Sequence, residues 1–438
     1  MRRARLPLRR LLAKIAAMSR PGRGPWEDNM TEKTRFTRRT VMAGAAAATL
    51  VAPAVVRAQA QTLKIGSLLP RSGFFAQAGQ SMHRGVLAAP ELLKELGYNV
   101  EIVHIDTESN ADVARTQAER AINDGCHVLT GAFDSGHTLA IAQVTEQRQV
   151  PFVVNVAAAP QITEQGYKFL VRNFQTGGQL VTNGLRLIKD VMDAKSIKFD
   201  KAVFLHANDT FGTAQRNAMD AIWPRVGLPI ELVEKIAYDP RAQDLSVEVT
   251  KIRSINPDLV MCVTRASDAI KMVRDMVRQR FQPKAIISPG SPGFYDEEFY
   301  QALGPLADFV LFGLPWANPK SNMTQAFEKA FAKANPNNRF AVDSFNAGFA
   351  FEGLLIAADA FKRAGTTNGP QLMEAVKATN IPEHVMIGGP ITFDAKGQNP
   401  NIGSALVQNL KRVPTVVLPK DVALAEPVLP LPAWQGRS

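Results

Sequence analysis

The sequence predicts an α/β protein built as two lobes, each a doubly wound parallel sheet. Three observations point there. Apolar strand-like runs alternate with helical stretches from Thr62 onward, the pattern starts again near Lys201, and the length left after an N-terminal secretion signal is too great for one ordinary core.

In the first unit, residues 63–69 read as a strand and 76–96 as a helix, followed by a strand over 100–105. Residues 112–123 form an amphipathic helix that Asn110 or Asp112 caps and Gly125 stops. A strand over 128–130, a helix over 137–149 and a strand over 152–155 complete the run. The second unit has strands at 201–206, 230–237, 259–263 and 285–288, with helices over 213–223, 245–254 and 267–279. After a strand at 310–312 come helices over 323–334 and 342–364, a short strand at 390–393 and a last strand at 405–410. The tail from Pro414 is Pro-rich and poorly patterned, and reads as a strap along the surface.

Residues 30–60 read as a secretion signal. Thr37-Arg38-Arg39-Thr40 precedes an Ala-rich apolar run over 41–56, and Ala58-Gln59-Ala60 supplies a small-x-small cleavage site near Ala60. Twin arginines before a mildly apolar core point to the Tat route. The run is short for a membrane span and carries Pro53, so the mature protein is expected not to be membrane-embedded. Residues 1–29 are an N-terminal extension that no signal needs.

The signal accounts for the charge. The whole chain has a formal net charge of +11, but residues 1–60 hold 13 Lys/Arg and 3 Asp/Glu, leaving 38 basic and 37 acidic side chains to the remaining 378 residues. A nucleic-acid binder needs its positive field on the folded domain, so no nucleic-acid partner is expected. The two cysteines, Cys126 and Cys262, sit by apolar strands of different lobes and read as buried free thiols.

Motifs for catalysis are missing. There is no G-x-G-x-x-G after a strand, no phosphate-binding G-x-x-x-x-G-K-[ST], no H-E-x-x-H, no C-x-x-C and no G-x-S-x-G. The six histidines show no metal-ligand spacing, and His104, His127 and His206 lie in strand-like runs as structural residues. These absences do not exclude an enzyme, but they weigh against one, and no cofactor is expected.

Several segments, in order along the chain, resemble the Leu/Ile/Val-binding family of periplasmic binding proteins. They are Leu63-Lys64-Ile65-Gly66-Ser67-Leu68-Leu69-Pro70 with Gln77-Ala78-Gly79, Ile122 to Gly131, Val150-Pro151-Phe152, Pro160-Gln161-Ile162-Thr163 with Tyr167 to Asn173, Asp209-Thr210-Phe211-Gly212, and Ile391 to Gly397. The resemblance implies a type I periplasmic-binding fold in which the lobes are joined by a three-crossover hinge. Lobe 1 is then 61–175 plus 314–393, and lobe 2 is 176–313 plus 394–438. The crossings fall near Asn173–Gly178, Gly313–Trp316 and Phe393–Gly397.

The resemblance also implies where a ligand sits. In open α/β sheets it lies beyond the carboxyl ends of the strands, against helix N-termini. Asp134, Ser135 and Gly136 open a helix at such a place, and Ser135 matches the family serine that holds a ligand carboxylate, although a serine there is also an ordinary cap. Departures are informative. The loop Ala157-Ala158-Ala159 has alanine where amino-acid binders carry threonine, Ala78 replaces an aromatic residue, and Phe211 stands where tyrosine is common. Asp268 matches the acid that meets an ammonium group. Arg265 just before it either meets a ligand carboxylate, pairs with Asp268 or is solvated. Ser291 completes the candidate set. Phe74, Phe75, Phe211 and Phe294-Tyr295 are candidates for aromatic walls, with Phe74 and Phe75 equally readable as core.

The ligand expected first is a small organic acid, aromatic in one version, and second an amino acid. The resemblance implies delivery to an ABC importer made of permease and ATPase subunits. The alternative is a receptor of the same fold that serves a sensor or regulator. A DNA-binding regulator of this fold would need a helix-turn-helix where the signal stands.

Overall fold

The computed structural model describes residues 62–437; the extension, signal and cleavage site read from residues 1–60 lie outside the described residues. The first sheet is entirely parallel, with order β2-β1-β3-β4-β5. Its strands are β1 (Leu63–Leu69), β2 (Val100–Asp106), β3 (Val128–Gly131), β4 (Phe152–Val154) and β5 (Leu170–Arg172). Between them run helices α1 (Ala76–Glu95), α2 (Ala111–Asn123), α3 (Ser135–Arg148) and the short α4 (Gln161–Glu164). Val128, Leu129, Phe152 and Val153 are fully buried, as a parallel sheet covered on both faces requires.

The second sheet has order β12-β11-β10-β9-β8-β6-β7. β6 (Lys201–Ala207), β7 (Glu231–Tyr238), β8 (Leu259–Val263), β9 (Ala285–Ser288) and β10 (Leu311–Leu314) are parallel neighbours in this sheet, and β11 (Ala405–Leu410) and β12 (Val413–Leu418) add antiparallel strands to its edge. Its helices are α5 (Gly177–Lys195), α6 (Thr210–Val226), α7 (Ser246–Ile255), α8 (Ala266–Arg278) and α9 (Glu297–Leu303). The chain then returns to the first sheet with α10 (Asn322–Ala334), α11 (Phe340–Ala364) and α12 (Gly369–Lys377). By length and composition α11 could cross a membrane, but 94% of its most apolar 18-residue stretch is buried and it serves as the core helix packed on α1.

The structure corrects several sequence expectations. Helices α5, α9 and α12 and strand β5 had not been read as elements. Residues 390–393 do not form a strand; only Ile391 bridges to Ile381. The third crossing comes later than Phe393–Gly397, because Arg172 N–H still donates to Gly397 O at 2.7 Å and Asn399 N–H to Arg172 O at 3.0 Å. The tail does not begin as a strap at Pro414. Lys411 and Arg412, both at positive φ, turn the chain into β12, and the strap proper follows. It is held by Gln408 donating to Val428 O at 2.8 Å and Arg437 donating to Asp308 O at 2.8 Å. Cys126 and Cys262 are buried and unbridged, each in its own lobe.

Candidate ligand-binding site

The carboxyl ends of the strands in both sheets converge on a small cavity, about 30 Å³ as traced by the centre of a water-sized sphere. The loop after β3 contributes Phe133, Asp134 and Ser135, and the loop after β4 contributes Val156, Ala157 and Ala158. Phe174 follows β5, and Phe345 comes from the first turns of α11. From the second sheet come Phe211 at the start of α6, Arg265 after β8, Gly290 and Pro292 after β9, and Leu314 at the end of β10. The walls are apolar apart from Asp134, Ser135 and Arg265.

Helix capping fixes the polar end. Asp134 is the N-cap of α3, and its Oδ1 accepts from Gly136 N at 2.8 Å and His137 N at 3.4 Å. Asp209 caps α6 in the same way, with Oδ1 accepting from Gly212 N at 2.7 Å. Glycine is required at 212, since a Cβ there would lie 1.9 Å from Ala207 O. Arg265 occupies the N-cap position of α8. Its Nη1 donates to Asp209 Oδ2 at 2.6 Å and its Nη2 to Asp134 Oδ2 at 3.4 Å. The guanidinium carbon lies 5.0 Å from the Phe75 ring centre and 5.3 Å from that of Phe211. Burial pulls the Arg265 pKa down, but the Asp209 and Asp134 carboxylates outweigh it and hold the group above its ordinary value.

Six of the ten sequence candidates line the cavity: Asp134, Ser135, Ala157, Ala158, Phe211 and Arg265. Four lie off it. Phe74 is 41% exposed and packs edge-on against Phe75, which is the ring that reaches Arg265. Ala78 is buried within α1. Asp268 does not pair with the Arg265 side chain. It accepts instead from Arg265 N at 2.9 Å and from the Tyr238 hydroxyl. Burial pushes the Asp268 carboxyl pKa up even against those bonds. Ser291 Oγ accepts from Thr264 N at 2.9 Å and contacts Ser288 Oγ at 2.8 Å, which ties the loops together behind the cavity. Phe294 and Tyr295 are fully buried, and Tyr295 backs Phe345 at 5.4 Å between ring centres.

Phe133, Val156, Phe174, Gly290, Pro292, Leu314, Phe345 and the partner carboxylate Asp209 were not singled out from the sequence. Phe133 stands one residue before Asp134 and was within reach of the same loop argument. Phe345 lies in a long apolar run with no local sign of a cleft. Ser135 Oγ accepts from Ala159 N at 3.3 Å, so it also orders the alanine loop. Among the described residues no cluster of three or more His, Cys, Asp or Glu side chains could hold a metal ion.

The fold has known counterparts. A branched-chain amino-acid transporter substrate-binding protein from Streptococcus pneumoniae, solved with isoleucine, superposes with a TM-score of 0.70 at 19% identity, covering 84% of this chain and all of that one. A solute-binding protein from R. palustris, solved with benzoate, gives 0.67 at 21% identity, covering 85% of this chain and 99% of that one. The Leu/Ile/Val-binding protein homolog 8 of Brucella abortus is 24% identical over 403 residues, 88% of this chain and 98% of the relative. The model of the periplasmic binding protein family matches residues 62–411, which takes in every strand of the two sheets except β12 and every residue lining the cavity, and the chain belongs to that family.

Proposed function

We propose that this protein is exported to the periplasm, loses its signal near Ala60, and captures a small organic acid with an apolar or aromatic body for delivery to the permease and ATPase subunits of an ABC importer. One observation carries the ligand class. Arg265 is presented between Phe75 and Phe211 at the polar end of a cavity whose other walls are almost all apolar. A guanidinium in that position suits a carboxylate, and the rings suit a flat or branched body. An amino acid is the second reading, supported by the Brucella relative's name and by the isoleucine bound to the Streptococcus protein. Against it, Asp268 is engaged by Tyr238 and the backbone and lies off the cavity.

The test is a thermal-shift screen of residues 61–438 against aromatic acids, aliphatic acids, amino acids and amides, with calorimetry on each hit. A ligand at 100 times its Kd stabilises the fold by about 2.7 kcal/mol. An acid whose binding is lost in Arg265→Ala is the expected result. Tight binding of leucine or valine that survives Arg265→Ala would overturn the ligand class.

A further inference from the structure

The two carboxylates on Arg265 are not equivalent. Asp209 and Arg265 follow β6 and β8, adjacent strands of one sheet, and their bond is short at 2.6 Å. Asp134 follows β3 in the other sheet, and its bond to Arg265 spans the cleft at 3.4 Å. The Asp134 and Arg265 side chains are only 12% and 10% exposed, so the pair is shielded from water. Were the lobes to part, Asp209 would stay with Arg265 and Asp134 would leave.

We propose that Asp134 is an internal competitor for the ligand: its Oδ2 occupies the face of Arg265 that the ligand's acid group takes, and in doing so it latches the lobes together when no ligand is bound. The proposal rests on the acid reading above for the ligand and on geometry alone for the latch. Three features support it. The Asp134 bond is the longer and weaker of the two, and so the one to be displaced. Displacement leaves Asp134 bonded through Oδ1 to the first turn of α3, so it is not stranded. An acid that bound without displacing it would place three carboxylates around one guanidinium, which like-charge repulsion opposes.

Asp134→Asn separates these roles, because asparagine is as good an N-cap as aspartate but carries no charge. Asp209→Asn is the matching control, since it removes a charge from the same cluster without touching the cross-cleft bond. The first readout is small-angle scattering of the ligand-free proteins. D134N should open, with a larger radius of gyration than wild type, and D209N should not. The second is calorimetry with benzoate and its neutral isostere benzamide. D134N should bind benzoate about tenfold more tightly than wild type, with benzamide little changed.

Unchanged scattering in D134N overturns the latch, and weaker or unchanged benzoate binding in a variant that does open overturns the competition. If benzoate binds neither protein and the screen above returns no other acid, while D134N still opens, the acid reading fails and the latch stands.

Discussion

Arg172 Nε donates to Gln398 Oε1 across 2.7 Å, joining β5 to the returning chain 226 positions later. The same guanidinium, fully buried, donates to Ala157 O at 3.2 Å, Ala159 O at 2.7 Å and Thr163 Oγ1 at 2.8 Å. Burial pushes its pKa down to about 9, against the pull of Glu164 and Asp394. It is the post around which the alanine loop of the cavity is wound.

Arg172→Ala should therefore act on stability and on the site together. Four acceptors lose their donor, and the expected loss is about 3 kcal/mol in urea denaturation. The alanine loop should loosen as well, so any acid found in the screen should bind the folded variant more weakly. A variant of wild-type stability would mean that water replaces the guanidinium.

Ala158→Leu should fill the cavity. Ala158 is 1% exposed and lines it, so the added carbons enter the space the ligand needs. Overpacking of this kind costs about 1–3 kcal/mol, which a lowered Tm would show. Affinity measured by calorimetry should fall at least about tenfold, equivalent to 1.4 kcal/mol.

His384 should give the protein a pH-dependent stability. Its Nδ1 lies 2.9 Å from Glu352 Oε1 and its Nε2 2.8 Å from Gly389 O. Burial pulls the imidazole pKa down, but the Glu352 carboxylate and these bonds outweigh it and hold the value above normal. The pair's contribution is therefore complete below about pH 6.5 and is lost as pH rises through the higher folded value. Denaturation curves from pH 6 to pH 9 should show wild type losing stability relative to His384→Gln as the pH rises. A pH-independent difference would mean that the ring stays neutral throughout.

The two thiols should be silent in the native state. Cys126 and Cys262 are buried, and burial pushes both thiol pKa values up. A thiol reagent should titrate two groups per chain in denaturant and none without it. Native reactivity would mean that one of the sheets opens locally.

The strands were the legible part of this sequence, because a parallel sheet covered on both faces needs short continuous apolar runs such as Leu259–Val263 and Ala285–Ser288. Helix α5 escaped because it starts at Gly177-Gly178 and carries Gly184, which blur the usual signals. Gly184 lies where a Cβ would come within 2.6 Å of Pro289 Cα, so packing and not helix propensity placed it there. In the site, Asp134, Ser135, Phe211 and Arg265 could be found because each stands at a strand-to-helix junction. Phe174, Leu314 and Phe345 could not, because only the folding of distant segments brings them to the same space. Of the alternatives open for Arg265, the pair with Asp268 is one the structure does not show, for a related reason. The carboxylate partners of Arg265 are 56 and 131 positions away, whereas Asp268, three positions on, is turned toward Tyr238.

The late arrival of β11 and β12 has a consequence for biosynthesis. β10, with the sequence Leu-Phe-Gly-Leu, is wholly buried in the finished protein and pairs on one side with residues 405–408. While the ribosome is still making residues 315–404, that side of the strand has no neighbour, and an apolar open edge invites pairing between nascent chains. The second lobe can be finished only when β11 and β12 emerge. A chain stopped just short of Ala405 should therefore collect in aggregates rather than as a soluble lobe, and the cell has reason to keep a chaperone on the nascent chain until its final strand pair is in place.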